Sequence, residues 1–461
     1  MGSDFLLKIS DIAQVFDGPH ATPKKIDIGP YFLSISSLED GQLDLSKSAH
    51  LSEEQFEKWT KRVTPQEGDV LFSYETRLGE AALMPKNVKA CLGRRMGLLR
   101  PDRSKVLPEY LLYAYMAPAF QQEIKRRTIY GATVERISLR ELPDFNIRIP
   151  DLTEQMQVVD ILNALNGKIA LNRQINQTLE QMAQTLFKSW FVDFDPVIDN
   201  ALDAIANGQN IEIPESLAKP FEARKAVRES EGFEPLPADI RQLFPCEFEE
   251  SELGFVPKGW GVKSMNEVTS LIIDHRGKTP KKLGSDWSEV GYPALSAKNI
   301  KDKAIVRLDT IRFVTDELYS KWMKNPLQPE DILMTSEAPL GELYYIAEKH
   351  DYLLSQRLYG IRAEKKLLSG SYLYYWLQTD IASSDLDGRA TGTTVVGIRQ
   401  SELKKVKVMC PSLECVNFFA ENVSDYLLKI ECNHQQNEKL AKLRDTLLPK
   451  LISGELRLDS P

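Results

Sequence analysis

The feature that most constrains this chain of 461 residues is an internal duplication. Residues 69–100 contain acidic, glycine and arginine positions that recur 262 residues later, in residues 331–362. After a slip of one residue, residues 168–186 match residues 429–447 at a fixed offset. Chance does not preserve one offset through so many identities, so the chain contains two copies of one block of about 190 residues.

Each copy begins with a mixed part that contains short apolar runs bounded by Gly, Pro, Asn and Asp, as strands and turns require. Residues 69–73 and 331–335 predict strands, and residues 110–125 and 372–381 predict helices, the first of them crossed by Pro118. The fold class that follows is α+β, with two mixed α/β domains.

Each copy ends in a long helix, predicted at about 153–191 and 413–451, with Thr153 as the N-cap of the first. Apolar residues spaced alternately by three and four positions predict a coiled-coil seam, in which polar residues cost stability but fix the register. We expect the two helices to pair with each other; the alternative is that each packs only on its own domain. The predicted pairing residues are Ile161, Leu165, Ile175, Leu179, Met182, Leu186, Leu427, Ile430, Leu440, Leu443 and Leu447.

The formal net charge of −8 is concentrated between the two copies. Residues 193–260 contain 15 Asp or Glu and 6 Lys or Arg, a net charge of −9, so the remainder carries −8 + 9 = +1. DNA binding through local basic patches is therefore compatible with the composition. The acidic, proline-containing segment is expected to be a partly helical connector, and we favour a solvated loop over a contact with a partner.

Cysteine and hydropathy patterns predict a cytoplasmic protein. The chain has five cysteines and lacks a C-x-x-C pair, which is typical of free thiols in a reducing compartment. Its apolar runs are shorter than the ~18 residues that a membrane span needs, so we expect no membrane partner. The five histidines show no metal-ligand spacing, and we expect no metal site.

Catalytic motifs are scarce. Asp102 with Glu123 and Lys125 matches a nuclease pattern literally, but the last two residues lie in a predicted helix, whereas such metal sites use a strand. Two alternatives to a DNA-recognition function stay open: a standalone nuclease that uses these three residues, and a duplicated scaffold whose DNA affinity lacks sequence preference.

Basic, turn-rich loops are the candidate DNA-binding features, because Arg and Lys contact phosphates and guanine edges while Thr completes base readout. A loop in each copy ends in Thr-Pro-Lys-Lys, and an arginine recurs at positions 95 and 357. The candidate DNA-binding residues are Lys24, Lys25, Arg77, Arg94, Arg95, Thr133, Arg136, Arg276, Lys278, Lys281, Lys282, Lys298, Arg357, Thr394 and Arg399.

Three segments carry a resemblance to a known family. They are residues 171–194, which begin LNRQIN and end FKSWFVDF; residues 437–456, which begin NEKL and end LLPKLISGEL; and the sequence GFVPKGW at 254–260. In these the chain resembles the specificity subunit of type I restriction-modification enzymes, over nearly its whole length. The first copy departs from the pattern, because its start at residues 5–9 lacks the Pro-x-Gly-Trp of the second.

The resemblance implies two target recognition domains separated by two long helices, which pair as an antiparallel coiled coil with pseudo-two-fold symmetry. Each domain would read one half of a bipartite, asymmetric site in double-stranded DNA. The implied boundaries are 1–150 and 253–411 for the recognition domains, 151–192 and 412–461 for the helices, and 193–252 for the connector.

The resemblance also implies partner subunits that perform the chemistry. Two modification subunits would methylate adenine with S-adenosylmethionine, and two restriction subunits would use ATP and Mg to translocate and cleave DNA. This chain would be a non-catalytic recognition subunit that carries no cofactor, which agrees with the scarcity of catalytic motifs.

Overall fold

The computed structural model describes residues 5–131, 134–392 and 395–456. The chain forms two compact units, and each unit takes in half of both long helices. The first unit contains the residues up to Leu171 together with those from Gln436 onwards, and the second contains residues 172–435. The first unit is therefore completed by the end of the second copy.

The two long helices are the central helix, Leu152–Phe191, and the C-terminal helix, Leu413–Ser453, which lie within two residues of the predicted bounds. The predicted N-cap is wrong. The Asp151 carboxylate accepts hydrogen bonds from the backbone N–H groups of Thr153 and Glu154, both at 3.0 Å, so Asp151 caps the central helix. A carboxylate at this end also interacts favourably with the helix dipole.

The first unit is built on a four-stranded antiparallel sheet with the strand order Ala13–Asp17, Met96–Pro101, Val70–Ser73 and Ala81–Leu83. All four residues of Val70–Ser73 are buried, as expected for an inner strand. A three-stranded sheet has the order Ala49–His50, Ile26–Phe32 and Ala90–Cys91. The other strands and the α-helices are Leu6–Lys8, Leu38–Glu39, Gln42–Leu43, Asn146–Arg148, Ile9–Ile12, Glu53–Trp59, Pro108–Met116 and Pro118–Arg126.

The second unit repeats this topology. Its four-stranded sheet has the order Thr269–Asp274, Leu358–Ala363, Ile332–Ser336 and Leu340–Tyr345. Its three-stranded sheet has the order Arg312–Val314, Tyr292–Leu295 and Leu353–Leu354, and like its counterpart it combines one antiparallel with one parallel pairing. The other strands and the α-helices are Phe248–Ser251, Gly254–Pro257, Gly261–Ser264, Ile300–Lys301, Ala304–Ile305, Lys407–Cys410, Met265–Val268, Asp316–Trp322, Gly370–Trp376, Asp380–Arg389 and Gln400–Leu403.

Identical strand orders in the two units confirm the duplication and the α+β fold class. The helix predicted at 110–125 is in fact two helices, because Pro118 lacks an N–H and its ring excludes the preceding helical turn. The helix predicted at 372–381 is also two, since the Thr379 hydroxyl accepts a hydrogen bond from Ala382 N and caps a new helix.

One buried ion pair recurs in both units and explains part of the sequence repeat. Arg100 binds Asp69 through two parallel hydrogen bonds, Nε to Oδ1 at 3.0 Å and Nη2 to Oδ2 at 2.7 Å. Arg362 binds Asp331 in the same way, at 2.8 and 2.7 Å. Both carboxylates are almost completely buried, so losing either arginine would leave an uncompensated charge. These identities therefore preserve the fold.

The two long helices run antiparallel within each unit. In the first unit, Arg444 Nη1 donates to Asn166 Oδ1 at 3.2 Å. In the second unit, Asn433 Nδ2 donates to Asn176 Oδ1 at 2.7 Å. In the first unit Val158 also shares a core with Leu451, and in the second the ring centroids of Phe187 and Phe419 lie 5.5 Å apart. Within each unit a higher number in one helix therefore meets a lower number in the other, and the prediction that the helices pair with each other is confirmed.

At most positions of the central helix, the buried residue is the one that follows the predicted seam residue in the sequence. Ala183 is fully buried while the preceding Met182 is 48% exposed, and Leu443 in the C-terminal helix is 47% exposed. Of the other predicted pairing residues, Leu427 is buried, and the half-buried ones are Ile161, Leu165, Ile175, Leu179, Leu186, Ile430, Leu440 and Leu447. Two asparagines are buried on this face of the central helix: Asn172, which lies at a polar position within the predicted seam, and Asn176, which lies one residue beyond the predicted Ile175.

The connector is not a solvated loop. It contains three helices and a small core of its own, and its arginines neutralise part of the acidic charge. Arg224 binds the buried Asp199 through two hydrogen bonds, at 2.9 and 2.6 Å, while Arg228 and Arg241 both bind Asp203. Burial opposes ionisation of Asp203, but the bonds from both arginines outweigh it and hold its pKa below the usual value. The helices are Asp195–Ala206, Ala218–Arg228 and Ala238–Arg241, and the core residues are Ile198, Ala201 and Phe221.

Hydropathy along the helices gives one further finding. Within residues 5–131, 134–392 and 395–456, every helix is too short or too polar to cross a membrane.

We expect the asparagine pair between the helices to behave as one energetic unit. Asn433→Ala and Asn176→Ala should each lower the free energy of unfolding by about 1–3 kcal/mol, because each leaves a buried amide without its partner. The double variant should cost at least about 0.5 kcal/mol less than the sum, since the shared bond is lost only once. Denaturant unfolding measures this. Asn422→Ala, at an exposed position on the C-terminal helix, is the control and should add to Asn176→Ala; additivity within the buried pair would contradict the prediction.

Candidate nucleic-acid interface

Several predicted DNA-binding residues of the second unit lie together around one basic cleft of about 440 Å³. The cleft is lined by three predicted cations and by side chains that the sequence did not indicate. Its principal lining residues are Lys278, Trp287, Lys298, Arg312, Gln356 and Arg357. Four cations and an indole ring in one concave surface suit a polyanion with flat bases.

Hydrogen bonds between loops hold the cleft in shape. Gln356 Nε2 donates to the carbonyl of Lys278 at 3.0 Å, and Lys278 Nζ donates to the carbonyl of Trp322 at 3.4 Å. Trp322 is 1% exposed, and its ring centroid lies 6.4 Å from that of Trp287. The guanidinium of Arg312 lies over the Trp287 ring, 5.1 Å from its centroid.

An arginine in the left-handed backbone region occurs at the same place in both units. Arg95 has φ 70° and Arg357 has φ 69°, conformations that cost a residue with a Cβ atom roughly 1–2 kcal/mol. Each Nε pairs with a glutamate of the adjacent strand end, Glu75 at 2.9 Å and Glu337 at 2.6 Å. Strain of this kind persists where the surrounding structure requires it, often at functional sites.

The loops that carry Arg136 and Arg399 are anchored close to these arginines. Glu75 forms an isolated β-bridge with Arg136, and Glu337 forms the equivalent bridge with Gly397, two residues before Arg399. The shared loop of each copy is thereby held against the strand end that binds Arg95 or Arg357. Thr133 and Thr394 lie outside the described residues.

Most of the predicted cations keep their charged ends available. Among the residues that the structure describes, seven candidates are exposed and make no side-chain hydrogen bond or ion pair. They are Lys24, Lys25, Arg94, Arg136, Lys281, Lys298 and Arg399. Unpaired, exposed cations on loops are suited to phosphate contacts, which would make DNA affinity depend on salt.

Three other candidates bind within their own unit. Arg77 bonds to Glu80 at 3.2 Å, and Lys282 donates to the carbonyl of Gly277 at 2.8 Å. Arg276 Nη2 donates to the Tyr359 hydroxyl at 3.0 Å. Burial raises the pKa of Tyr359 to about 12, so this hydroxyl stays protonated and accepts the arginine bond while it donates to a backbone carbonyl. These three side chains support the loop geometry.

Two of the three residues of the nuclease alternative, Asp102 and Glu123, are engaged in other contacts. The Glu123 carboxylate binds Arg126 Nη2 at 2.5 Å and Arg127 Nε at 2.8 Å, on the helix Pro118–Arg126. Asp102 accepts hydrogen bonds from the backbone N–H and the hydroxyl of Ser104, which hold its pKa below the usual value. Within the described residues, no group of three or more His, Cys, Asp and Glu side chains could hold a metal ion.

The buried cysteines are unsuited to nucleophilic chemistry. Burial raises the pKa values of Cys91, Cys410 and Cys415 to about 12, so these thiols stay protonated at neutral pH. All five cysteines are free.

Comparison with known proteins identifies one family model that matches both copies. A family model described as the type I restriction modification DNA specificity domain matches residues 7–181 and again residues 257–442. The chain is 28% identical over 410 residues to the type I restriction enzyme HindI specificity subunit of Haemophilus influenzae, covering 85% of this chain and 87% of that protein. It is 22% identical over 473 residues to the type I restriction enzyme MjaIX specificity subunit of Methanocaldococcus jannaschii, covering 98% and 93%.

One solved structure supports the fold. The crystal structure of the S subunit of a type I restriction-modification system from M. genitalium superposes with a TM-score of 0.55 at 13% sequence identity. The match covers 98% of this chain and 97% of that chain. At this identity the likeness concerns the fold alone.

Two substitutions at Arg357 distinguish the cost of its strained backbone from the contribution of its guanidinium to DNA binding. Arg357→Ala and Arg357→Gly both remove the guanidinium, so both should weaken DNA binding to the same extent. Glycine tolerates the left-handed conformation, so the free energy of unfolding of Arg357→Gly should exceed that of Arg357→Ala by about 1 kcal/mol. Thermal unfolding and DNA titration of the full chain measure both quantities. A less stable glycine variant would contradict the assignment of strain.

Proposed function

The chain belongs to the type I restriction modification DNA specificity family, and from this premise we propose that it reads a bipartite, asymmetric DNA site, one half with each unit. In this proposal it is the non-catalytic specificity subunit that directs adenine methylation and DNA cleavage by partner subunits. The observation that carries the proposal is that both units have the same strand orders in their sheets and present exposed cations on equivalent loops.

Electrostatics supports DNA as the ligand despite the net charge of −8. In the connector, Arg224, Arg228 and Arg241 are paired with aspartates, whereas lysines on the loops of both units are unpaired. Phosphate contacts from the loops would supply affinity that falls steeply with salt. Base-edge contacts would supply specificity, at about 1–3 kcal/mol for each mismatched base pair.

The partners follow from the same proposal. Two modification subunits would bring S-adenosylmethionine and methylate adenine, and two restriction subunits would bring ATP and Mg for translocation and cleavage.

Adenine-methylation mapping tests the proposal directly. A host without adenine methylation expresses this chain with, and separately without, the methyltransferase subunit encoded beside it. We expect a split motif that is methylated only when both are present. A soluble complex that binds DNA without sequence preference would favour the scaffold alternative, and metal-dependent cutting by the purified chain alone would favour the nuclease.

Exchange of residues 253–411 for the equivalent segment of another family member tests the assignment of half-sites. The mapped motif should change in one half only, because the other unit retains its own loops. The control exchanges a segment from a member with an identical motif and should leave both halves unchanged. A new sequence in both halves would contradict the modular assignment.

The long helices are proposed to set the number of unread base pairs between the half-sites. Deleting residues 168–174 together with 435–441 removes two facing helical turns, about 10.5 Å on each helix, and preserves the buried faces to within ~20°. The mapped spacer should shorten by about three base pairs, at 3.4 Å each. Deleting only one segment should prevent stable folding, because the paired faces lose register. A folded double deletion with an unchanged spacer would contradict the proposal.

A further inference from the structure

The basic cleft of the second unit differs from the same region of the first unit at positions that strand pairing identifies. In the first unit Phe32 pairs with Ala49, and in the second unit Ala294 pairs with Arg312. In both units the inner strand of that pair has a parallel strand on its other side. Arg312 therefore stands where the first unit has an alanine.

The aromatic partner of Arg312 is also present only in the second copy. Eight residues separate Lys282 from Gly291, whereas three separate Lys25 from Gly29. The two glycines are equivalent, because a Cβ atom on either would come within 2.3 Å of a backbone oxygen on the neighbouring chain segment. The longer segment contains Trp287, so the second copy has both the arginine and the ring beneath it.

Other features of the cleft are common to both units. Arg357 and Arg95 have the same backbone conformation, and each pairs with a glutamate at the equivalent strand end of its own unit. Trp322 and Trp59 each end the helix that follows the outer strand. Side chains that are the same in both units cannot distinguish two different half-sites. Discrimination between half-sites therefore requires the positions at which the units differ.

Arg312 is arranged to present its guanidinium to a ligand. It lies at the start of an outer strand, is exposed, and makes no ion pair among the described residues. Stacking on Trp287, 5.1 Å from the ring centroid, restricts the guanidinium plane and leaves its N–H edge open. Lys298 and Arg357 line the same cleft and can contact flanking phosphates.

We propose that Arg312 reads a guanine in the half-site bound by the second unit. Two parallel N–H groups of a guanidinium match the N7 and O6 acceptors of guanine in the major groove, and stacking lowers the entropy lost on contact. The inference rests on the proposed function, because it presupposes that the second unit reads DNA.

Methylation mapping with the complete complex tests the inference through Arg312→Ala. Alanine stands at the equivalent position of the first unit, so the fold accommodates it. We expect one G·C pair in the half-site of the second unit to become degenerate. Competition binding with the four base pairs at that position should show discrimination lowered by about 5- to 150-fold. The other half-site should stay unchanged. Lys366→Ala, which removes an exposed cation outside the cleft lining, is the control and should relax no position.

A second variant keeps the inference testable if the first folds poorly. Trp287→Leu retains the guanidinium but removes the ring, so it should relax the same G·C pair by a smaller factor. The inference would be overturned by a second half-site without a G·C pair, by relaxation at a position other than a G·C pair of that half-site, or by an equal loss of affinity for all sequences with a lower salt dependence. The last result would assign Arg312 to a phosphate.

Failure of the inference differs from failure of the proposed function. If the wild-type complex methylates a split motif and Arg312→Ala leaves every position as selective as before, the inference alone is wrong. If the wild-type complex binds DNA without any motif, the proposed function is wrong and the inference falls with it.

Discussion

The antiparallel pairing of the two long helices is the constraint on which the rest of the structure depends. The sequence repeats as two consecutive copies, but the compact units do not coincide with them, because each unit contains half of both helices. In the first unit, Leu451 and Ile452 of the C-terminal helix share a core with Val158 and Leu162 of the central helix. The hydrogen bond between Asn176 and Asn433 gives the pairing a defined register, since a shift along either helix would leave both amides buried and unpaired.

The residues that the two copies share and those that they do not share have different physical roles. Asp69 with Arg100, and Asp331 with Arg362, are buried ion pairs that neither unit can lose without a large cost. The exposed loops between these fixed points tolerate different lengths and charges. The duplicated fold with divergent loops therefore supplies two related surfaces that differ in shape and charge.

Long periodic features were predictable from the sequence, and features made by distant residues were not. The heptad pattern located both long helices closely, and the constant offset between the copies revealed the duplication. Hydrophobic spacing could not show that Ala183 is buried and Met182 exposed, because it favours the larger apolar side chain over an adjacent alanine. Lys278, Lys298 and Arg357 lie on loops that are far apart in the sequence. The sequence indicated each of them as a candidate, but it could not show that they line one cleft.

Arg312 and Trp287 escaped the sequence reasoning for a specific reason. The candidates lie mainly in basic, turn-rich loops that correspond between the copies, whereas Arg312 lies in a strand and Trp287 in a segment that the first copy lacks. Alignment of the two copies could have indicated Arg312, because the equivalent position of the first copy is Ala49. Once the repeat is recognised, the positions at which the copies differ can be examined separately from those that both copies share.

The shared core of the first unit also imposes an order of events during synthesis on the ribosome. Leu162 packs in a core that includes Ile452, and 452 − 162 = 290 residues separate the two in the chain. At about 5–20 residues per second, the nascent first unit waits roughly 15–60 s for the segment that completes it. The apolar face of the central helix stays uncovered for that interval, so translation speed and chaperone access become part of how this protein reaches its native state.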